Sequence, residues 1–158
     1  MIAARELKTE RCPAPRGIVT PTPEFTWALS ADVDGERQTG CEIEVDRLEP
    51  NGSPVPVWRS GNLDRLIGDE VRYAGEALAS RSDYRWRVRV RDRDGEASEW
   101  SDRATFETGV IAPDAFTAQW ITGGGALRRE LRVGEGLVRA RAYVSGLGFY
   151  EFFCNGVK

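Results

Sequence analysis

The sequence predicts an all-β protein, and three observations lead to that fold class. Apolar and polar side chains alternate at every second residue, most clearly over 84–91, as they do along half-buried strands. Clusters of Gly, Pro, Asn and Asp interrupt these runs at short intervals, which is typical of the turns between sandwich strands. Helix-period apolar spacing is nearly absent. We therefore expect a sandwich of short strands.

The strand over 84–91 and the strand over 39–46 carry the strongest alternation. In the first, arginines alternate with apolar residues; in the second, acidic residues do. Further strands are predicted at 25–29, 57–60, 71–73 and 104–108. About seven strands in roughly 100 residues is the size of an immunoglobulin-like sandwich. The side chains expected to face its core are Phe25, Trp27, Leu29, Cys41, Ile43, Val45, Tyr84, Trp86, Val88, Val90, Ala104 and Phe106.

A tyrosine near the start of the penultimate predicted strand refines the class. Leu78 precedes Tyr84 by six residues, the place where a tyrosine corner bonds its phenol hydroxyl to the backbone upstream. The Cys…Trp…Cys spacing of antibody domains is missing. The fibronectin-type-III variety of the immunoglobulin-like sandwich is therefore favoured.

The chain is expected to continue into a second, incomplete β segment. Strands are predicted at 127–133, 138–144 and 149–154, and Asn155-Gly156 then forms the dipeptide of a tight hairpin. Only two residues follow that dipeptide, so we expect a truncated segment. The predicted organisation is an N-terminal extension (1–16), a sandwich (17–109), a linker (110–117) and the start of a second β domain (118–158).

Composition excludes several classes of function. The net charge is −3, from 22 basic and 25 acidic residues, so no global field favours nucleic acid or an anionic membrane. The chain has no histidine, which removes Ser-His-Asp and Cys-His catalysis. Cys12, Cys41 and Cys154 lie too far apart in sequence to form a metal-binding pair. We expect no cofactor and no metal. The N-terminus lacks the apolar core of a signal peptide, so a cytoplasmic location is expected.

Several short motifs together carry a family resemblance. In chain order they are residues 17–27 (Gly-Ile-Val-Thr-Pro-Thr-Pro-Glu-Phe-Thr-Trp), 38–43, 57–61 (Val-Trp-Arg-Ser-Gly), 78–84, 84–90, 94–101, 106–109 (Phe-Glu-Thr-Gly), 118–121 (Ala-Gln-Trp-Ile) and 142–151, followed by Asn155-Gly156. With these motifs the whole chain resembles the N-terminal region of bacterial α-L-rhamnosidases, glycoside hydrolases with several β modules ahead of a helical catalytic barrel. The Gly-Leu-Gly-Phe-Tyr-Glu stretch at 146–151 is the most diagnostic of them.

The resemblance implies a role as an accessory module in carbohydrate metabolism. It implies that 118–158 begins a jelly-roll, carbohydrate-binding-like domain, and that the acid and base of the hydrolase lie in the later barrel. No catalytic residue is carried over to this chain, so the segment alone is expected to be inactive. The implied partners are the downstream domains of the parent enzyme and, for the parent, a glycoside with terminal α-L-rhamnose. The alternative is a free-standing fibronectin-type-III-like protein–protein interaction module.

The outward charges of the two strongest strands admit two interpretations. Arg85, Arg87, Arg89 and Arg91, with nearby tryptophans, could form a nucleic-acid stripe. Neighbouring strands would instead place these arginines against Glu42, Glu44 and Asp46, as cross-strand ion pairs. The second interpretation is favoured, with Trp100 lying across the arginines as a cation–π stack. The same carboxylates, and Asp92 with Asp94, are poor candidates for a catalytic pair because they lie on an exposed face or in a turn.

The aromatic residues near the C-terminus are weak candidates for a sugar site. Phe149 and Tyr150 could stack on a sugar ring, although large apolar side chains are more often core residues. The strand that carries them is also expected to have an unpaired edge, which favours self-association.

Overall fold

The computed structural model describes residues 2–64 and 70–158, with Pro113 described by its backbone alone. The chain divides into two compact units, Met1–Thr117 and Ala118–Lys158. The strands of the first unit are β1 (Ile2–Thr9), β2 (Glu24–Ala31), β3 (Gly40–Leu48), β4 (Pro54–Arg59), β5 (Leu63–Asp64), β6 (Val71–Arg72), β7 (Asp83–Arg91) and β8 (Ala104–Glu107). A short 3-10 helix, Pro113–Ala115, follows.

The eight strands in the described part of the chain form two antiparallel sheets. One sheet has the order β1-β2-β6, and the other has the order β4-β3-β7-β8, with β5 paired to the end of β3. No helix among the described residues has the length and apolar character needed to cross a membrane. The predicted all-β sandwich is confirmed.

An aromatic cluster fills the space between the sheets. The rings of Phe25 and Trp86 lie 4.4 Å apart, and those of Tyr84 and Phe106 stack at 4.9 Å. Trp86 is fully buried and donates its indole N–H to the Thr9 hydroxyl at 3.0 Å, so burial leaves no polar group of the ring unpaired. The predicted inward faces of β3 and β7 are confirmed.

Leu29 and Ala104 depart from the predicted core. Leu29 is 42% exposed, because β2 is buried only over its first half and its last four residues are all exposed. Ala104 is partly buried and packs against the edge of the core. Alternation assigns a face to a residue, but it does not show where the opposite sheet stops covering that face.

The first strand of the sandwich was not predicted. Residues 2–9 form β1, which pairs with β2 and buries Ile2, Ala4 and Thr9, so this part of the expected N-terminal extension belongs to the sandwich. The pairing register shifts between Arg5 and Lys8, with Glu6 in a left-handed conformation (φ 49°). This bulge breaks the two-residue period, which hides the strand from a search for alternation.

The tyrosine corner is present. The phenol oxygen of Tyr84 accepts a hydrogen bond from the Ala79 amide at 2.8 Å, and Leu78 is buried beside it. Burial raises the pKa of Tyr84. The corner fixes the connection between β6 and β7, as predicted.

Residues 118–158 are all described and contain no strand, so the strands predicted at 127–133, 138–144 and 149–154 are wrong for this structure. Their apolar side chains are exposed, Val138 at 98% and Leu131 at 75%. An isolated strand is not stable without a partner that covers its apolar face, and residues 118–158 supply none. The Asn155-Gly156 turn does form: both residues have positive φ, and Cys154 and Val157 exchange backbone hydrogen bonds.

Candidate functional site

The outer face of the sheet containing β3 and β7 carries a ladder of ion pairs. The strand register sets Glu42 opposite Arg89, Glu44 opposite Arg87 and Asp46 opposite Arg85. The guanidinium groups of Arg89 and Arg87 approach these carboxylates at 2.6 and 2.7 Å. The predicted cross-strand pairs are confirmed, and each of the three arginines already binds a carboxylate, which does not favour a nucleic-acid stripe.

Asp46 is the most enclosed member of the ladder. Its side chain is 4% exposed and is contacted by three arginines: Arg59 at 2.7 Å, Arg85 at 3.1 Å and Arg103 at 3.2 Å. Burial, the largest single effect, raises the pKa of this carboxyl, but the hydrogen bonds and charges of Arg59 and Arg85 outweigh it, so the pKa lies below its ordinary value. A glycosidase general acid needs a raised pKa. Asp46 therefore acts as a structural counter-ion.

Trp100 covers the middle of this ladder. The guanidinium carbons of Arg87 and Arg89 lie 4.5 and 4.9 Å from the centre of its ring, as predicted for a cation–π stack.

The serines on either side of Trp100 hold it in place. The Ser98 hydroxyl accepts from the Val90 amide and its own amide donates to the Val90 carbonyl; Ser101 bonds Val88 in the same way. The serines thus extend the pairing of β7 beyond β8 and fix the indole over the arginines.

The carboxylates of the acidic turns also form hydrogen bonds with backbone amides of the same sandwich. The Asp92 carboxylate accepts from the amides of Asp94 and Glu96, and the Glu36 carboxylate accepts from the Arg93 amide. Among residues 2–64 and 70–158, no group of three or more Cys, Asp or Glu residues is arranged to hold a metal ion. These carboxylates shape two neighbouring loops.

The two aromatic residues proposed for sugar stacking lie in the second unit with their rings accessible. Phe149 is fully exposed and Tyr150 is 55% exposed. The Tyr150 hydroxyl donates to the Val144 carbonyl at 3.4 Å. An exposed ring is what stacking needs, and the site stays a prediction.

Fold and surface together define a structural module: an immunoglobulin-like sandwich whose main charged face is satisfied by its own ion pairs. Residues 4–112 match the family model described as the Rha78A-like, N-terminal immunoglobulin domain. The chain belongs to this family. The match extends almost to the N-terminus, which agrees with β1 being part of the sandwich.

Similar proteins are α-L-rhamnosidases of much greater length. A Streptomyces avermitilis α-L-rhamnosidase is 35% identical over 111 residues, which are 68% of this chain and 10% of that protein. A Formosa agariphila α-L-rhamnosidase is 26% identical over 91% of this chain and 18% of its own length. The chain thus spans between a tenth and a fifth of these relatives.

Solved structures give the same result. The crystal structure of the Streptomyces avermitilis α-L-rhamnosidase complexed with L-rhamnose matches 78% of this chain with a TM-score of 0.70 and 31% identity, using 12% of its own chain. The α-L-rhamnosidase structure from Dictyoglumus thermophilum matches 77% with a TM-score of 0.69 and 28% identity. The predicted resemblance to the N-terminal region of such enzymes is confirmed.

Proposed function

We propose that this chain is the non-catalytic N-terminal part of an α-L-rhamnosidase-like glycoside hydrolase, and that its sandwich serves as a structural spacer for the domains that do the chemistry. The observation that carries the proposal is the family match over 4–112, together with relatives of which this chain covers only 10% and 18%. The proposed substrate of the parent enzyme is a glycoside with terminal α-L-rhamnose.

The charged face supports an accessory rather than a catalytic role. Inverting and retaining hydrolysis both need two carboxyl groups across a cleft, one of them with a raised pKa. The ladder places its carboxylates against arginines on a strand face instead, and the pKa of its most buried carboxyl is lowered. The free-standing interaction module remains the alternative.

Hydrolysis of a chromogenic aryl α-L-rhamnoside tests the proposal. The purified 158-residue chain should release no aglycone above the blank, whereas the product of the reading frame continued beyond Lys158 should release it. Release by the 158-residue chain would contradict the non-catalytic role. A stop codon directly after Lys158, or a series of further fibronectin-type-III-like units, would instead favour the interaction module.

Two finer proposals concern residues 118–158, and each has its own test. We propose that Phe149 and Tyr150 stack on a sugar, so titration with L-rhamnose should shift their ring NMR signals and the backbone amide signals of the adjacent residues, and the amide shifts should vanish in Phe149→Ala with Tyr150→Ala. We also propose that this unit is the start of a jelly-roll domain that associates with a second copy when its own partner strands are missing. Sedimentation should then show dimers of 1–158 and monomers of 1–117.

A further inference from the structure

Arg81 has a strained backbone at the corner between β6 and β7. Its φ of 57° lies in the left-handed region, where the Cβ atom crowds the following carbonyl oxygen and any residue other than glycine is strained. Such strain persists only where contacts with the surrounding structure hold the backbone in that conformation. Here the conformation directs the Arg81 amide to the Gly109 carbonyl at 2.8 Å and its guanidinium to the Ala115 carbonyl at 2.6 Å.

The neighbouring Ser80 binds the same stretch of chain. Its hydroxyl oxygen accepts hydrogen bonds from the amides of Ile111 and Ala112 at 3.0 and 3.3 Å. The Ile111 side chain packs against the core. Residues 109–115, which we call the exit segment, are therefore bonded to the corner at both ends and in the middle.

The stretch of chain that precedes β2 also binds the start of the exit segment. The Gly109 amide donates to the Ile18 carbonyl at 2.7 Å, and the Ile18 amide donates to the Glu107 carbonyl at 3.0 Å. A Cβ atom at Gly109 would lie 2.9 Å from the Gly17 carbonyl oxygen, so this close approach of two backbones requires glycine. The segment interpreted from sequence as a linker is thus fixed to the sandwich through Ala115.

We propose that Ser80 and Arg81 form an exit clamp: positioning residues that set the direction in which the chain leaves the sandwich. The first point at which the chain can bend freely towards a following module then lies after Ala115. Without the clamp it would lie directly after Thr108, just beyond the end of β8. This inference deepens the spacer role and rests on it, because a fixed exit direction matters only when a module follows.

The test is the heteronuclear {1H}-15N NOE of the 158-residue chain, read along 105–120. In the parent, values as high as those of β7 should continue through Ala115 and fall only beyond it. Arg81→Gly removes the guanidinium and relieves the strained backbone, so the melting temperature should hold or rise while the NOE now falls from about residue 112. Arg11→Gly is the matched control, since Arg11 is another left-handed arginine (φ 61°) and does not contact the exit segment.

Ser80→Ala supplies an independent measurement. Loss of the hydroxyl should speed amide exchange at Ile111 and Ala112 by on the order of tenfold, as expected for the loss of one hydrogen bond, with β7 unchanged; this variant decides the matter if Arg81→Gly does not fold. Low NOE values at 110–115 in the parent, or exit segments unchanged in both variants, would overturn the clamp. The NOE and amide-exchange measurements do not depend on rhamnoside hydrolysis, so a failure of the clamp and a failure of the proposed function give different results.

Discussion

At the scale of single residues, Asp46 shows how a buried charge is kept in this sandwich. Strand alternation points its carboxylate outward, yet three arginines close over it and leave the side chain 4% exposed. Removing one partner of a buried ion pair is far more costly than the pair's net contribution, because the remaining charges lose their counter-ion. The carboxylate therefore has a large effect on stability although it has no chemical role.

Asp46→Asn should lower the free energy of unfolding by about 3–5 kcal/mol at pH 7, measured by urea denaturation. Because the folded pKa of Asp46 is below its ordinary value of 3.8, its contribution to stability is complete well above that pH and is lost as the pH falls through the folded pKa. The variant should therefore lose less stability than the parent in acid. Asp94→Asn, at a carboxyl 75% exposed, is the control and should change stability little.

Tyr73 predicts the opposite pH dependence. Burial raises its pKa to about 12, and its hydroxyl donates to the Glu76 carbonyl at 2.7 Å. A raised folded pKa means stability that is complete below pH 10 and is lost as the pH rises towards 12, by roughly 2–3 kcal/mol. Tyr73→Phe should make this alkaline decline shallower in urea titrations at pH 9 to 12. An unchanged decline would show that Tyr73 is not the group responsible.

At the scale of elements, the turn that follows β1 places two residues with side chains, Glu10 and Arg11, in a backbone conformation that favours glycine. Thr9 and Cys12 exchange backbone hydrogen bonds across Glu10 and Arg11, which have φ values of 50° and 61°. Two consecutive positive φ values are those of a type I′ turn, where Asn-Gly is favoured. The chain uses that dipeptide in another such turn, at Asn155-Gly156.

Arg11→Gly should therefore raise the free energy of unfolding by up to about 1 kcal/mol, because the left-handed strain of about 1–2 kcal/mol that it relieves exceeds the roughly 0.5–1 kcal/mol of backbone entropy that glycine costs. The Arg11–Glu70 ion pair that it removes is exposed and 3.6 Å long, so its loss should cost little. The midpoint of urea denaturation is the measurement, and Arg11→Ala, which keeps a Cβ atom, should show no such gain. A lowered midpoint for Arg11→Gly would mean that the arginine side chain matters more than the backbone.

At the scale of the whole molecule, the two units differ in how they are stabilised. Residues 1–117 contain both sheets, the aromatic core and the bonded exit segment. Residues 118–158 leave most of their large apolar side chains exposed, and about forty residues rarely bury enough apolar surface to offset the entropy of ordering them. Stability is therefore expected to reside in the first unit.

Truncation and hydrogen exchange test this division. The chain 1–117 should keep the melting temperature of 1–158, whereas 1–108 should melt lower because it lacks the exit segment and the anchor of Ile111. In dilute 1–158, amides of 127–154 should exchange much faster than those of 84–91. Equal protection of both stretches would show that the second unit forms a core of its own.

The sequence by itself determined the elements whose signals are local. Strict alternation predicted β3 and β7, their facing charges predicted the ion-pair ladder, and the Leu78–Tyr84 spacing predicted the tyrosine corner. Asn155-Gly156 predicted a turn that forms without flanking strands, because the conformational preference of that dipeptide does not depend on distant contacts. The family resemblance followed from short motifs spread along the chain.

Only the tertiary structure decided the features that depend on distant partners. β1 has a bulge and two buried apolar side chains, so its pairing with β2 makes it a strand. Residues 127–133, predicted as a strand, form none, and Leu127, Leu131 and Val133 stay exposed. Burial of Asp46 required Arg59, Arg85 and Arg103 to meet from three different parts of the chain. The exit clamp joins residues about thirty positions apart. Local pattern fixes which way a side chain points, but coverage and hydrogen-bond partners come from segments that the chain brings together only when it folds.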